Sequence, residues 1–151
     1  MRKTVTLSIF SFFLISCVST TPPTSPKEQI QYIDLTSDDK KELVNEYWIL
    51  EKRQDPKYPV GAAKEGLSGC VELVVGIKEN GKAGGYKVKK SYPEGVFDKH
   101  AAAALNNWQW SASDKNTDKA PVLTTIKLDF MVNNSKNKAE AQKQCGFPHK
   151  Q

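Results

Sequence analysis

A run of alternating side chains followed by an Asn-Gly pair dominates the middle of this 151-residue chain. From Gly69 to Ile77 every second residue is apolar, and a period of two is typical of a strand with one buried face. Asn80 and Gly81 follow, and this pair accepts the positive φ angles of a tight turn. A weaker strand is predicted over residues 86–91, with a bulge near its start, where two glycines lie. These residues predict an antiparallel hairpin.

An apolar stripe and a second alternating run follow the hairpin. The stripe recurs at helical spacing and predicts a helix that packs on the sheet; its residues are Phe97, Ala101, Ala104, Leu105 and Trp108. After Pro121, apolar residues recur at every second position as far as Val132, which predicts a long third strand. The order strand, strand, helix, strand is that of a small α+β protein. We therefore expect a two-layer sandwich, with one helix covering a three-stranded antiparallel sheet.

Two further segments flank this β-β-α-β unit, which takes residues 55–132. Residues 36–54 begin with the capping candidates Thr36 and Ser37 and then carry apolar side chains at mostly helical spacing. They predict an extra N-terminal amphipathic helix, which either packs on its own domain or binds a partner. Residues 133–151 are polar and lysine-rich and are predicted to form a tail.

The amino terminus predicts export and lipid attachment. Two cations precede an apolar run that is far shorter than the ~20 residues needed to span a bilayer, a pattern typical of a secretory signal. The run ends in Leu-Ile-Ser-Cys at residues 14–17, which resembles the lipobox of bacterial lipoproteins. In that motif the cysteine receives a diacylglycerol and the chain is cut just before it. The resemblance implies a signal peptide over residues 1–16, a lipid on Cys17 and a Ser/Thr/Pro tether over residues 17–35.

The residue after Cys17 bears on the destination of the protein. It is Val18, whereas lipoproteins retained in the inner membrane carry Asp there, so the resemblance implies the outer membrane, with the domain facing the periplasm. Loss of the signal peptide lowers the formal net charge from +5 to +3. Such a mild positive charge in this compartment argues against nucleic acid as a partner.

Cys70 and Cys145 remain after processing. The periplasm is oxidising, so the two are candidates for a disulfide. The alternatives are two free thiols, a catalytic pair of Cys70 with His100, or a metal site of both cysteines with His149. No nucleophile motif surrounds Cys70, and the three residues lack the usual spacing of metal ligands. We expect no enzyme, no metal and no cofactor.

The middle of the chain is similar to the TonB C-terminal domain family. The resemblance runs from about Asp55 to Val132 and depends on the order and spacing of several short motifs. They are Tyr58-Pro59, Gly69-x-Val71, Asn80-Gly81, Ser91-x-Pro93-x-Gly95-x-Phe97-Asp98, Ala101 with Ala104, and Trp108-x-Trp110. The family has a basic residue between the last two aromatics, where this chain has Gln109. It often has an amide before Pro-x-Tyr-Pro, where this chain has Asp55, with Gln54 one residue earlier.

The resemblance implies a peptide-binding module. Domains of this family add a short segment of an outer-membrane receptor as an extra strand beside their last strand, whose backbone N–H and C=O groups would otherwise lack partners. The candidate binding residues are Thr124, Ile126, Lys127, Leu128 and Asp129, together with Gln54, Asp55 and Tyr58. The expected partners are an outer-membrane receptor or another envelope protein, and the membrane itself through the lipid.

An alternative function follows if the edge of the last strand is already covered. The C-terminal tail or a second copy of the domain could pair with it. The chain would then be a structural or dimerising lipoprotein of the envelope without a peptide ligand.

Overall fold

A computed structural model describes residues 30–146. The predicted signal peptide, Cys17 and His149 lie outside the described residues. In chain order, the elements are β1 (Ile33–Asp34), α1 (Val44–Tyr47), β2 (Trp48–Lys52), α2 (Val60–Glu65), β3 (Gly69–Ile77), β4 (Ala83–Tyr92), α3 (Asp98–Leu105), β5 (Gln109–Ala112), β6 (Val122–Phe130) and α4 (Lys138–Cys145), with a 3-10 turn at Lys41–Leu43 before α1. Within residues 30–146, no helix is long and apolar enough to cross a membrane.

The main sheet has four strands in the order β1-β6-β3-β4. The central strand β3 is antiparallel to both β4 and β6, which are the three strands predicted from the sequence. β3 and β6 pair without a break from Gly69 opposite Phe130 to Ile77 opposite Val122. The short β1 adds a fourth strand that the sequence analysis did not predict, and it runs parallel to β6.

The core lies between the main sheet and α3. The four apolar side chains of β3 that alternate along the strand are completely buried: Val71, Leu73, Val75 and Ile77. They share one cluster with Phe97, Ala101 and Leu105 of the α3 region. The small side chain of Ala101 lets the helix lie close to the sheet, as the apolar stripe predicted. The α+β fold with one helix on the sheet is therefore confirmed.

Of the N-terminal helix predicted over residues 36–54, the structure has only the 3-10 turn at Lys41–Leu43 and α1, and the prediction is wrong for residues 48–52, which form a strand. In this strand, β2, Trp48 lies opposite Ala112 of β5, so the two make a separate two-stranded sheet. Trp48 is buried, and its Nε1 donates a hydrogen bond of 2.9 Å to the carbonyl oxygen of Ala120. Long-range pairing and burial of this indole outweigh the weak helical spacing.

The hairpin between β3 and β4 turns at Gly81, whose φ is +69°. A side chain there would meet the carbonyl oxygen of Trp110, because the edge of β5 approaches the turn and the Trp110 amide donates to the Gly81 carbonyl at 2.9 Å. The register of β4 against β3 shifts where Gly84 and Gly85 lie, in agreement with the predicted bulge.

The predicted tail contains a helix, α4, that packs on the face of the sheet opposite α3. Cys70 and Cys145 form a disulfide with an S–S distance of 2.08 Å. Few residues of α4 are buried, namely Ala141 and Cys145, and they pack against Cys70 and Tyr92. A small third layer therefore covers one end of this outer face.

Candidate peptide-binding edge

The outer edge of β6 is the side of the strand that faces away from β3. β1 pairs with this edge only at Val122 and Leu123. Two hydrogen bonds border the pairing: the Ile33 amide donates to the Pro121 carbonyl at 3.0 Å, and the Leu35 amide donates to the Leu123 carbonyl at 2.9 Å. From residue 124 to residue 130, no strand of the described chain pairs with the outer edge.

The alternation of the backbone decides which residues offer hydrogen bonds at this edge. The N–H and C=O groups of one residue in a strand point to the same side, and those of the next residue point to the other. Because the carbonyls of Pro121 and Leu123 face β1, the backbone groups of Thr125 and Asp129 also face the outer edge. Those of Thr124, Ile126 and Leu128 face β3.

Three of the predicted edge residues therefore contribute in a different way than expected. Thr124, Ile126 and Leu128 direct their backbone groups into the ladder with β3. Thr124 and Leu128 are buried, and Ile126 packs against the core. They hold the strand in place, while the polar backbone groups that an added strand would use belong to their odd-numbered neighbours.

The two predicted charged residues lie together on the outer face. Lys127 Nζ is 3.3 Å from Asp129 Oδ1, and both side chains are about two-fifths exposed. Lys127 Nζ also donates a hydrogen bond to the carbonyl of Cys145, at the carboxyl end of α4. These contacts place a charged pair on the stretch of β6 with which no described strand pairs on the outer side, where the side chains of an added strand would pass.

Tyr58 is a partly buried residue that packs against the core at the end of β6. Its ring makes edge-on contacts with Phe97 and Phe130, with centroids 5.6 Å and 5.9 Å away. Its hydroxyl donates a hydrogen bond to the Leu67 carbonyl. Burial raises the pKa of the Tyr58 hydroxyl above its ordinary value. Tyr58 therefore supports the end of β6 from within the core.

The part of the chain that forms this fold matches a known protein family. A family model described as "Gram-negative bacterial TonB protein C-terminal" matches residues 54–132, just over half of the chain. The chain belongs to the TonB C-terminal family. This family is a non-catalytic interaction family of cell-envelope proteins.

Relatives of known sequence and structure agree with this membership. Two proteins named TonB, from two strains of Xanthomonas campestris pv. campestris, are each 33% identical to this chain over 78 residues. The match covers 52% of this chain and 35% of each relative, so the chain spans about a third of their length. The solution structure of the Pseudomonas aeruginosa TonB C-terminal domain covers 68% of this chain, and 96% of that domain is matched, with a TM-score of 0.51. At 19% identity this likeness shows the fold alone.

The start of the TonB C-terminal domain lies beside α3. Gln54 and Asp55 line a cavity of about 340 Å³ together with His100, Ala103 and Asn107, and no residue of β6 lines it. The Gln54 carbonyl accepts a hydrogen bond of 2.8 Å from Trp108 Nε1, and Asp55 is 3.3 Å from Arg53. The structure does not bring these two residues together with Lys127 and Asp129.

The structure also bears on the alternative roles considered for Cys70, a catalytic pair and a metal site. Its sulfur is bonded to Cys145, so the proposed pair with His100 has no thiol in this state. Among residues 30–146, no cluster of three His, Cys, Asp or Glu side chains could hold a metal ion.

One polar residue that organises the loop after β5 was missed by the sequence analysis. Asn116 is buried, and its side chain accepts from the Ala120 amide at 2.8 Å and donates to the Tyr47 carbonyl at 3.1 Å. It holds the loop that leads into β6 against the end of α1. The run of polar residues from Ser111 to Lys119 gave no sign that one of them is buried.

Proposed function

We propose that this chain is a lipid-anchored periplasmic binding module that takes up an extended peptide or protein segment by strand addition at the outer edge of β6. The observation that carries the proposal is the length of β6 that no described strand covers, from residue 124 to residue 130. An extended segment can complete hydrogen bonds there with little change in the domain. The partner would be an outer-membrane receptor or another envelope protein, which links the module to TonB-dependent transport.

The proposed anchor is the lipid on Cys17. Its support is the Leu-Ile-Ser-Cys motif directly after the apolar run at the amino terminus. Membership of an envelope family agrees with export. Val18 supports attachment to the outer membrane, where receptors lie within reach of the tether.

The direct test compares two substitutions at Asp129. Asp129→Pro removes an amide that faces the outer edge and leaves the bonds between β6 and β3 intact. Asp129→Ala removes the same carboxylate and keeps the amide, so it is the matched control. Proline at Ile126 or Leu128 would break the sheet instead, since those amides face β3.

The ligand is found by crosslinking in living cells from a photoreactive residue at position 127, followed by identification of the attached segment. A synthetic peptide of that segment is then titrated against the two Asp129 variants. We expect the Asp129→Ala protein to bind like the unaltered chain and the Asp129→Pro protein to bind at least about tenfold more weakly, since one backbone hydrogen bond is worth roughly that factor. Equal affinities for two folded variants would reject this edge.

The same edge would also accept β6 of a second copy, which is the dimerising alternative. Sedimentation velocity over a hundredfold range of concentration distinguishes the two. A dimer that the Asp129→Pro substitution dissociates favours the structural role, and a monomer at all concentrations favours peptide binding.

A further inference from the structure

Two glycines lie side by side on the outer face of the sheet, within strands where glycine lowers stability. Gly76 is in β3 and Gly84 is in β4. A glycine inside a strand often marks a place where another group approaches the backbone closely. Here that group is the ring of Tyr32, and the two glycines with Tyr32 define what we call the glycine slot.

The distances show that the slot is shaped for an aromatic ring. A Cβ atom on Gly76 would lie 2.9 Å from Cε1 and 3.0 Å from Cζ of Tyr32. A Cβ atom on Gly84 would lie 2.5 Å from Cγ of Lys78 and 2.7 Å from the Tyr32 hydroxyl oxygen. A side chain at Gly76 would therefore displace the ring, and one at Gly84 would displace both the Lys78 side chain and the ring. Val74 and Leu123 form apolar walls around it.

The residues after Tyr32 occupy the first part of the outer edge of β6. Ile33 and Asp34 pair with Val122 and Leu123 in a parallel register. Leu35 is buried in the core, with 3% of its surface exposed. The chain's own segment over residues 30–36 thus shows what the edge accepts: an extended strand parallel to β6, with a tyrosine over the glycines and a leucine three residues later.

This segment pairs with the sheet over fewer residues than the other strands do. Only two of its residues pair with β6, whereas nine residues of β3 pair with the same strand. Ile33 and Asp34 are exposed. Short, exposed edge elements open locally at a small cost in free energy while the remaining domain stays folded.

We propose that the glycine slot and the adjoining edge of β6 form a recognition subsite for an extended segment with a tyrosine followed three residues later by a leucine. In the structure, the chain's own Tyr32 and Leu35 fill this subsite. A partner segment with the same pattern displaces them and then continues along the part of β6 with which no described strand pairs on the outer side. The inference rests on the proposed function, because both use the outer edge of β6.

The test uses the full-length chain in detergent and a fluorescent peptide with the sequence of residues 30–36 as the probe. The tethered segment competes at an effective concentration in the millimolar range, so the unaltered chain should bind the probe weakly. In the Tyr32→Ala protein the chain's own segment over residues 30–36 loses its ring contact and competes less well. We therefore expect the probe to bind about tenfold more tightly. A probe with alanine in place of tyrosine should lose this gain.

A second substitution tests the slot itself. Gly76→Ala in the Tyr32→Ala background places a methyl group where the probe's ring must lie, and it should remove the gain in binding. Gly61→Ala is the matched control, because a methyl group there has no atom within 4 Å. If Tyr32→Ala does not fold, hydrogen exchange of the Ile33 and Leu35 amides in the unaltered chain is measured instead, and it should speed up as the probe is added.

The outcomes separate this inference from the proposed function. Folded variants that do not bind the probe, or that bind the alanine probe equally well, overturn the subsite. If the segment captured from position 127 still distinguishes Asp129→Ala from Asp129→Pro, the proposed function survives that result. If neither ligand binds at the edge, both are wrong.

Discussion

Tyr58 is a residue that the sequence analysis named for the binding edge and that the structure places against the core. It belongs to a motif of the family, and the sequence analysis placed it at the binding edge. In the structure its ring packs against Phe97 and Phe130 and its hydroxyl is bonded to the Leu67 carbonyl. The motif thus indicated that Tyr58 matters, but packing between distant segments determines what it does.

We expect Tyr58→Phe to lower the free energy of unfolding at pH 7 by about 1 to 2 kcal/mol, because the Leu67 carbonyl loses its partner. The pKa of Tyr58 is raised in the folded state by burial, so the hydroxyl keeps its proton to a higher pH in the folded protein than in the unfolded chain. The stability that this hydroxyl contributes is therefore complete below about pH 10 and declines as the pH rises through the raised pKa.

Urea unfolding at pH 7 and at increasing pH above 10 measures this difference. The gap between the unaltered chain and the Tyr58→Phe variant should narrow as the pH rises. Tyr86→Phe is the control, because it removes a hydroxyl from an exposed ring and should leave stability nearly unchanged at pH 7. A gap for Tyr58→Phe that widens at high pH would show that the folded state does not protect the proton.

At the scale of elements, the strength of a local pattern determined what could be predicted. β3 and β6 have long alternating runs, and Asn80-Gly81 sets the turn, so three strands and α3 follow from the sequence. β1 has two residues, which is too short for any period to appear. β2 follows directly on α1, and the spacing of its apolar residues fits a helix and a strand almost equally well. The pairing of Trp48 with Ala112 of β5 makes it a strand. Pairings between distant segments decided those cases.

The disulfide joins α4 to β3, so its removal tests how much it contributes to holding this helix on the sheet. Only Ala141 and Cys145 of this helix are buried, so its apolar contact with the sheet is small. Replacing both Cys70 and Cys145 by serine should lower the free energy of unfolding by about 2 to 4 kcal/mol, since the bridge closes a separation of 75 residues in the unfolded chain. Chemical denaturation with and without the substitutions measures this loss.

Hydrogen exchange tells where the loss occurs. In the double variant, amides of α4 should exchange much faster, while amides of β3 should exchange only as fast as the lower global stability requires. Two side-chain contacts at the ends of α4 should weaken with it: Lys90 Nζ with the Gln144 carbonyl, at 2.6 Å, and the Asn137 side chain with Ser68. Unchanged protection in α4 would show that these contacts suffice without the bridge.

At the scale of the whole molecule, the position of β1 connects the proposed anchor to the binding edge. The proposed tether over residues 17–35 overlaps the segment over residues 30–36, which occupies part of the outer edge of β6. A ligand that displaces this segment would free its seven residues to extend together with the rest of the tether. In an extended form they span about 20 Å, compared with about 37 Å for the twelve residues between Cys17 and the segment. Binding would thus extend the reach of the domain from the membrane.

The membrane that holds the proposed anchor would determine which partners lie within this reach, and Val18 offers the test. In lipoproteins, an aspartate directly after the lipidated cysteine retains the protein in the inner membrane, so Val18→Asp should move the protein from the outer-membrane fraction to the inner-membrane fraction on a sucrose gradient. Val18→Ala should stay in the outer-membrane fraction, because it adds no charge. Cys17→Ser should leave the membrane fractions through loss of the lipid. A Val18→Asp protein that stays with the outer membrane would contradict sorting by this position. A Cys17→Ser protein whose signal peptide has been cleaved and which still stays with the membrane would contradict the lipid anchor itself.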